Sequence, residues 1–182
     1  NYTVVYKDGN ETMTIPWATT WYTITDEITI PNPEKEGYTF VAWKEYVKTW
    51  ENTRNFVKDI LKDGESITIG TWNIWDREFR AQWRVNQYTV TFYDEDGELV
   101  LWKKTVNYWE DATYRSDAPK KAKTEQYSYE FLNWYNWTWS EATVDNLSNV
   151  TADRNVYARY MATVNKYDII FVDEDGTTVL LI

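Results

Sequence analysis

Alternating apolar and polar positions recur along this chain in a fixed order. Tyr88, Val90 and Phe92 face one way with Thr89 and Thr91 the other, a period of two that reads as a half-buried strand, and Asp96-Gly97 then turns the chain toward residues 98–106. The same opener stands at Tyr2-Thr-Val-Val-Tyr6 before Asp8-Gly9 and at Tyr167-Asp-Ile-Ile-Phe171 before Asp175-Gly176. The three openers lie 86 and then 79 residues apart. A second signature, Tyr-x-Phe-x-x-Trp, occurs at Tyr38, Phe40, Trp43 and again at Tyr129, Phe131, Trp134. A third closes each unit, Asp76-Arg77 leading through Phe79 and Ala81 to Trp83, and Asp153-Arg154 leading through Val156 and Ala158 to Tyr160. The chain is therefore read as repeated modules of four or five strands, at residues 1–85 and 86–164, with the start of a third at 165–182.

Between the second and third signatures the offset falls from 91 to 77, so the first unit carries 14 extra residues. Within 52–61, Phe56, Val57, Ile60 and Leu61 recur at helical spacing before Asp63-Gly64. This predicts a short amphipathic helix in the first unit only, opposite a lysine-rich polar connection at 119–127 in the second. The fold class expected is α+β, mainly β. The third unit is read as cut off after one hairpin, and the chain, opening at Asn1 already in a strand, as excised from a longer protein. Isolated hairpins are marginal, so this end is expected to be loosely held or packed on the second unit.

Charge narrows the partners. The formal net charge is −10 with a pI near 4.6, which repels a nucleic-acid backbone, and Lys120, Lys121 and Lys123 form only a short loop run. Without cysteine or histidine the chain has no disulfide framework, no thiolate metal site and no Ser-His or Cys-His catalytic arrangement. No apolar run approaches the roughly 18 residues of a membrane span. No cofactor, metal site or catalytic residue is expected.

Tryptophan is the anomaly. The chain has 12 Trp and only 6 Gly, and nine of the tryptophans stand where a turn is expected, as in Pro16-Trp17 and Asn136-Trp137. Glycine belongs in such dipeptides because it reaches positive φ at little steric cost. Converting those nine to glycine would give 15 Gly and 3 Trp, about 8% glycine, close to the roughly 7% of average proteins. Some bacterial lineages read UGA as glycine. Translating such a gene with UGA as tryptophan would place Trp at positions 17, 21, 50, 72, 75, 109, 137 and 139, leaving UGG at 43, 83 and 134. Trp102, inside a strand, fits a cross-strand aromatic as well. The competing reading is an aromatic surface in which Trp137, Trp139 and Trp109 contact a glycan or protein partner. Trp43, Trp83 and Trp134, beside Phe40, Phe79 and Phe131 on apolar strands, are expected in the core.

These residues resemble the Listeria-Bacteroides repeat of bacterial surface proteins, also called the internalin B-repeat. The resemblance rests on Glu36-Gly-Tyr-Thr-Phe-Val-Ala-Trp43, on Val106-Asn-Tyr-Trp-Glu-Asp-Ala-Thr113 and on the closing Asp-Arg-x-Phe-x-Ala-x-Trp of unit one. It implies a small β-grasp-like module, repeated in tandem on secreted or wall-attached proteins, with no catalytic residues to carry over. In family members a glycine stands where this chain has Trp109, and Gly-Asp-Arg resembles the stretch at Trp75.

Other constellations are weaker. Asp94-Glu-Asp-Gly97 and Asp173-Glu-Asp-Gly176 resemble the start of a calcium loop, but the later ligands are missing, and a solvated hairpin turn is expected instead. Nothing places two of the 29 acids in a cleft as glycosidase chemistry would need. The sequons at Asn10, Asn136, Asn146 and Asn149 are read as incidental. The repeated Asp-Arg is read as a turn, with Asp capping local amides and Arg paired at the surface.

The expected role is a non-catalytic, extracellular spacer or stalk on the bacterial cell surface or wall, contacting neighbouring repeat modules of the same chain. The short link at 84–87 is expected to make it semi-rigid. The alternative is an adhesin module binding a host or community protein or glycan.

Overall fold

The structure, a computed structural model, describes residues 1–48, 54–61, 67–115, 117–137, 143–174 and 176–180. They divide into two compact units, Asn1–Gln87 with Asn107–Trp109, and Tyr88–Val106 with Glu110–Ile182. In the first unit the strands are β1 (Tyr2–Asp8), β2 (Glu11–Thr12), β3 (Trp21–Tyr22), β4 (Ile28–Ile30), β5 (Tyr38–Lys48), β6 (Arg54–Leu61), β7 (Ile67–Ile69) and β8 (Asp76–Val85). The second is built on β9 (Gln87–Tyr93), β10 (Val100–Asn107), β11 (Tyr127–Tyr135) and β12 (Arg154–Val164).

The two sheets share one plan. In the first the order is β2-β1-β8-β5-β6, with β3 also on β1, and β4 and β7 form a separate pair; in the second it is β10-β9-β12-β11. Each opener lies parallel to its closing strand, Val4 opposite Arg77 in one and Val90 opposite Arg154 in the other. The Tyr-x-Phe-x-x-Trp strand then runs antiparallel to the closing strand. Parallel neighbours cannot be joined by a tight turn, so the antiparallel pairs and loops between opener and closer form the crossover.

Alternation fills the two cores from matching positions. Val4, Tyr6, Trp43, Phe79 and Ala81 are buried in the first unit, where Val90, Phe92, Trp134, Val156 and Ala158 are buried in the second. Phe40 and Trp83 pack against the first core while only partly buried, and Phe131 does so against the second. An indole of about 200 Å² removed from water contributes about 5 kcal/mol at ~25 cal/mol per Å².

The odd spacing of the Tyr-x-Phe-x-x-Trp signature has a structural cause. Trp43 lies three positions after Phe40, an odd step that in a regular strand would place the two rings on opposite faces. The register of β5 on β8 shifts between Phe40 and Ala42, and that of β11 on β12 shifts between Phe131 and Asn133. Each shift is a bulge carrying one extra residue, Val41 or Leu132, both exposed. The bulge returns the tryptophan to the core face, with ring centroids of Phe40 and Trp43 5.2 Å apart and of Phe131 and Trp134 5.3 Å apart.

The helix expected within 52–61 is a strand. β6 pairs antiparallel with β5 from Ala42 opposite Leu61 to Lys48 opposite Arg54, with a bulge at Glu45 and Tyr46. Residues 52 and 53 lie outside the described residues. The apolar doublets at 56–57 and 60–61 fit a bulged strand as well as a helix, and β5 presents an edge of backbone donors and acceptors that a helix would leave unpaired. The fold is mainly β, and every regular element among the described residues is a strand.

Residues 165–180 cluster with the second unit. Their hairpin repeats an earlier one: Asp173 and Thr178 are bonded as Asp94 and Leu99 are, and Val172 bridges to Val179. Ile169 and Phe171 are exposed, whereas Val90 and Phe92 at the same places in the second opener are fully buried.

Candidate functional site

The repeated Asp-Arg is the feature that the structure organises most. Asp76 opens β8, and its Oδ1 accepts the Thr3 N–H of β1 at 2.7 Å. Asp153, just before β12, accepts the Thr89 N–H of β9 at 2.8 Å. The bonded amides lie 73 and 64 residues away, so these aspartates are not local caps. They pin each opener beside its closer at the start of the parallel pairing.

The arginines differ from their expected surface pairing. Arg77 pairs through Nη1 with Glu45, a carboxylate only 3% exposed, and donates to Tyr22 Oη at 3.1 Å and Asn73 Oδ1 at 2.8 Å. Arg154 donates to Asp145 Oδ1 at 2.8 Å and to the Ser148 carbonyl at 3.1 Å. Neither Glu45 nor Asp145 was legible as a partner, because each comes from a different element. The four charges are consumed within their own units, so they form a structural clamp rather than a docking site.

The tryptophans separate by backbone and by burial. Trp43 is fully buried with its Nε1–H on the Pro31 carbonyl, Trp134 is buried, and the partly buried Trp83 donates to Asp8 Oδ1 at 3.1 Å. Of the proposed contact residues, Trp109 is 60% exposed at φ 67° and Trp137 is 56% exposed in the loop after β11, while Trp139 lies outside the described residues. Trp17, Trp72 and Trp75 also have positive φ, at 63°, 65° and 88°. Trp21 and Trp102 lie in β3 and β10, and Trp50 is outside the described residues.

At the first acidic run, Asp94 Oδ1 accepts the Gly97 and Leu99 amides and Asp96 Oδ1 accepts that of Glu98. The Glu98 amide, followed by a hydrogen bond with Asp94, holds the Asp96 carboxyl below its ordinary range. Oxygens turned onto their own loop suit a hairpin tip. Lys121 reaches Glu95 beside this turn, and that bond raises the lysine's pKa. An open hollow of about 220 Å³ lies there, lined by Asp94, Glu95, Leu101, Lys121 and Tyr160 among others. Among the described residues, no group of three or more Asp or Glu side chains is placed to hold a metal ion.

Comparison with known proteins finds similarity to segments of larger bacterial proteins. It is 26% identical over 157 residues to a "Putative Gly-rich membrane protein" of Evansella cellulosilytica and 29% identical over 148 residues to a "Putative membrane protein" of the same organism. Those matches cover 84% and 81% of this chain. It is also 33% identical to Internalin H of Listeria monocytogenes over 103 residues, 57% of the chain. Its relatives are named as membrane proteins and an internalin. The chain spans only 16%, 19% and 15% of these proteins' lengths. No family model and no solved structure matches it.

Proposed function

We propose that the chain is a non-catalytic run of β-grasp-like repeat modules that serves as a semi-rigid extracellular spacer in a bacterial cell-surface protein. The observation that carries this reading is the reuse of one plan. Two units with the same strand order, matched core positions and the same aspartate clamp follow each other, with only Asn86 between β8 and β9. Repetition of a structural unit builds length, and a one-residue join restricts reorientation. The similarity to an internalin and to two proteins named as membrane proteins supports an envelope location. A net charge of −10 keeps such a segment soluble and resists self-association.

The adhesin alternative needs exposed tryptophans for a glycan or protein contact. Trp109 is held in a left-handed backbone, so its exposure does not by itself single out a binding surface.

Because the chain lacks cysteine, Glu11→Cys and Glu130→Cys give one exposed label site in each unit. Pulsed electron paramagnetic resonance on the doubly labelled chain should yield a narrow distance distribution. A distribution as broad as that of a flexible linker would overturn the spacer reading.

A further inference from the structure

We infer that positions 17, 72, 75 and 109 are glycine in the protein as its own cell makes it, the tryptophans there arising where UGA codons that the cell reads as glycine are decoded as tryptophan. Four tryptophans take positive φ, three of them, at 63°, 65° and 67°, within the 60° to 82° of Gly9, Gly37, Gly97 and Gly176 and the fourth, Trp75, just beyond it at 88°. A bulky side chain in that region crowds its own backbone, and such a residue is a genuine outlier. One outlier could be a local accident. Four of a single residue type call for a common cause.

The local chemistry agrees at each place. The Ala18 N–H donates to the Ile15 carbonyl at 3.2 Å, closing a four-residue turn with Pro16 second and Trp17 third. Proline followed by positive φ is the signature of a type II turn, whose third residue is glycine by steric demand. Trp109, like Trp17, is the latter of two consecutive turn residues, following Tyr108 after β10. Trp72 has its repeat counterpart 77 residues on at Asn149, which also takes positive φ, 48°. Asparagine is the side chain that tolerates this conformation best after glycine, so the second unit marks the same backbone demand independently. Trp75, at φ 88°, is the furthest of the four from the ordinary left-handed well, and its carbonyl accepts the Tyr22 hydroxyl at 2.6 Å.

At Trp17 and Trp72 packing does not repay the strain. Trp17 is 102% exposed and Trp72 is 76% exposed. Leu147 shows what compensation looks like: it also takes positive φ, 62°, but it packs against the second core and its carbonyl accepts the Ala112 N–H at 2.7 Å. The buried Trp43 and Trp134, and Trp83 packed against the first core, lie in strands and are not among the positive-φ residues.

The gene and the native protein test this directly. UGA is expected at codons 17, 72, 75 and 109 with UGG at 43, 83 and 134, and tryptic peptides of the protein isolated from its own cell should carry glycine masses at the first four. UGG at any of the four, or a native peptide with tryptophan there, overturns the inference. A second measurement tests the backbone demand alone, by comparing the full chain with and without Trp17→Gly, Trp72→Gly, Trp75→Gly and Trp109→Gly together. Relief of left-handed strain should lower the unfolding equilibrium constant by about tenfold or more, net of glycine's freedom in the unfolded chain. An unchanged or raised constant would show that the fold does not ask for glycine.

Discussion

The two units share a backbone plan and dress it differently. At Lys7 opposite Arg80, two like charges sit side by side across β1 and β8, with Glu78 3.6 Å from Lys7 and 2.6 Å from Arg80. At the equivalent Tyr93 opposite Tyr157 in the second unit, the rings stack with centroids 5.4 Å apart. A buried carboxylate between two cations and an aromatic pair do the same task on the same face. The repeat therefore preserves topology and core while leaving the chemistry of the sheet face free to change. The same freedom appears around the arginine clamp. β5 runs on to Lys48 and is flanked by β6 on its other side, which encloses Glu45 beside Arg77. β11 stops at Tyr135, opposite Tyr157, so Arg154 turns to Asp145 in the following loop.

That contrast predicts unequal arginines. Removing one partner of a buried ion pair leaves the other charge unpaired, so Arg77→Met should cost about 3–5 kcal/mol. Arg154→Met, which breaks the more accessible pair, should cost about 1–3 kcal/mol. Chemical denaturation of the full chain, with hydrogen exchange to assign each loss to its unit, reads both. Equal losses would break the comparison. Adding Glu45→Leu to Arg77→Met should recover most of the first loss, because the stranded charge is then gone.

The aspartates should behave alike. Asp76→Ala and Asp153→Ala each remove the acceptor of one opener amide, and each should cost about 1–2 kcal/mol, since the bond is charge-assisted but exposed. Faster exchange at Thr3 and Thr89 respectively would locate the effect. A large loss in one unit and none in the other would mean that the clamp is not a shared device.

Much of this plan was legible in the alternation of residues, and what was not has identifiable causes. Openers, Asp-Gly turns and closing strands announce themselves because period two and turn chemistry are local. The bulges at Val41 and Leu132 were present only as an odd three-residue step between Phe40 and Trp43 and between Phe131 and Trp134. The helix expected within 52–61 is a strand at 54–61 because the doublets fit a bulged strand as well as a helix, and the long edge of β5 decided between them. Asp76 was expected to cap a neighbour, yet it reaches Thr3, because the parallel pairing of opener and closer is a tertiary fact that alternation cannot express. For the candidate surface, the Pro16-Trp17 pair already conflicted with turn chemistry; the φ of each tryptophan had to come from the structure.

The smallest predicted difference lies in the cores. Tyr6 in the first unit and Phe92 in the second occupy the same opener position, and the Tyr6 hydroxyl donates to the Thr19 carbonyl at 2.9 Å. Burial pushes the Tyr6 pKa up to about 12 from an ordinary 10.0. The folded protein therefore holds this proton more tightly than the unfolded chain. That contribution is fully present below pH 10 and is lost as the pH rises through about 12, the sign expected for a neutral buried phenol. Tyr160 in the second unit moves the same way, chiefly through burial, so the second unit is not immune to alkali. Tyr6→Phe gives the first opener the ring of the second. At neutral pH it should cost about 1 kcal/mol for the lost hydrogen bond, while the alkaline unfolding midpoint of the first unit moves upward. Hydrogen exchange at β1 across the pH series follows this segment alone. If the alkaline limb of Tyr6→Phe overlays that of the unchanged chain, the titrating group lies elsewhere and the opener tyrosine is only a packing variant of phenylalanine.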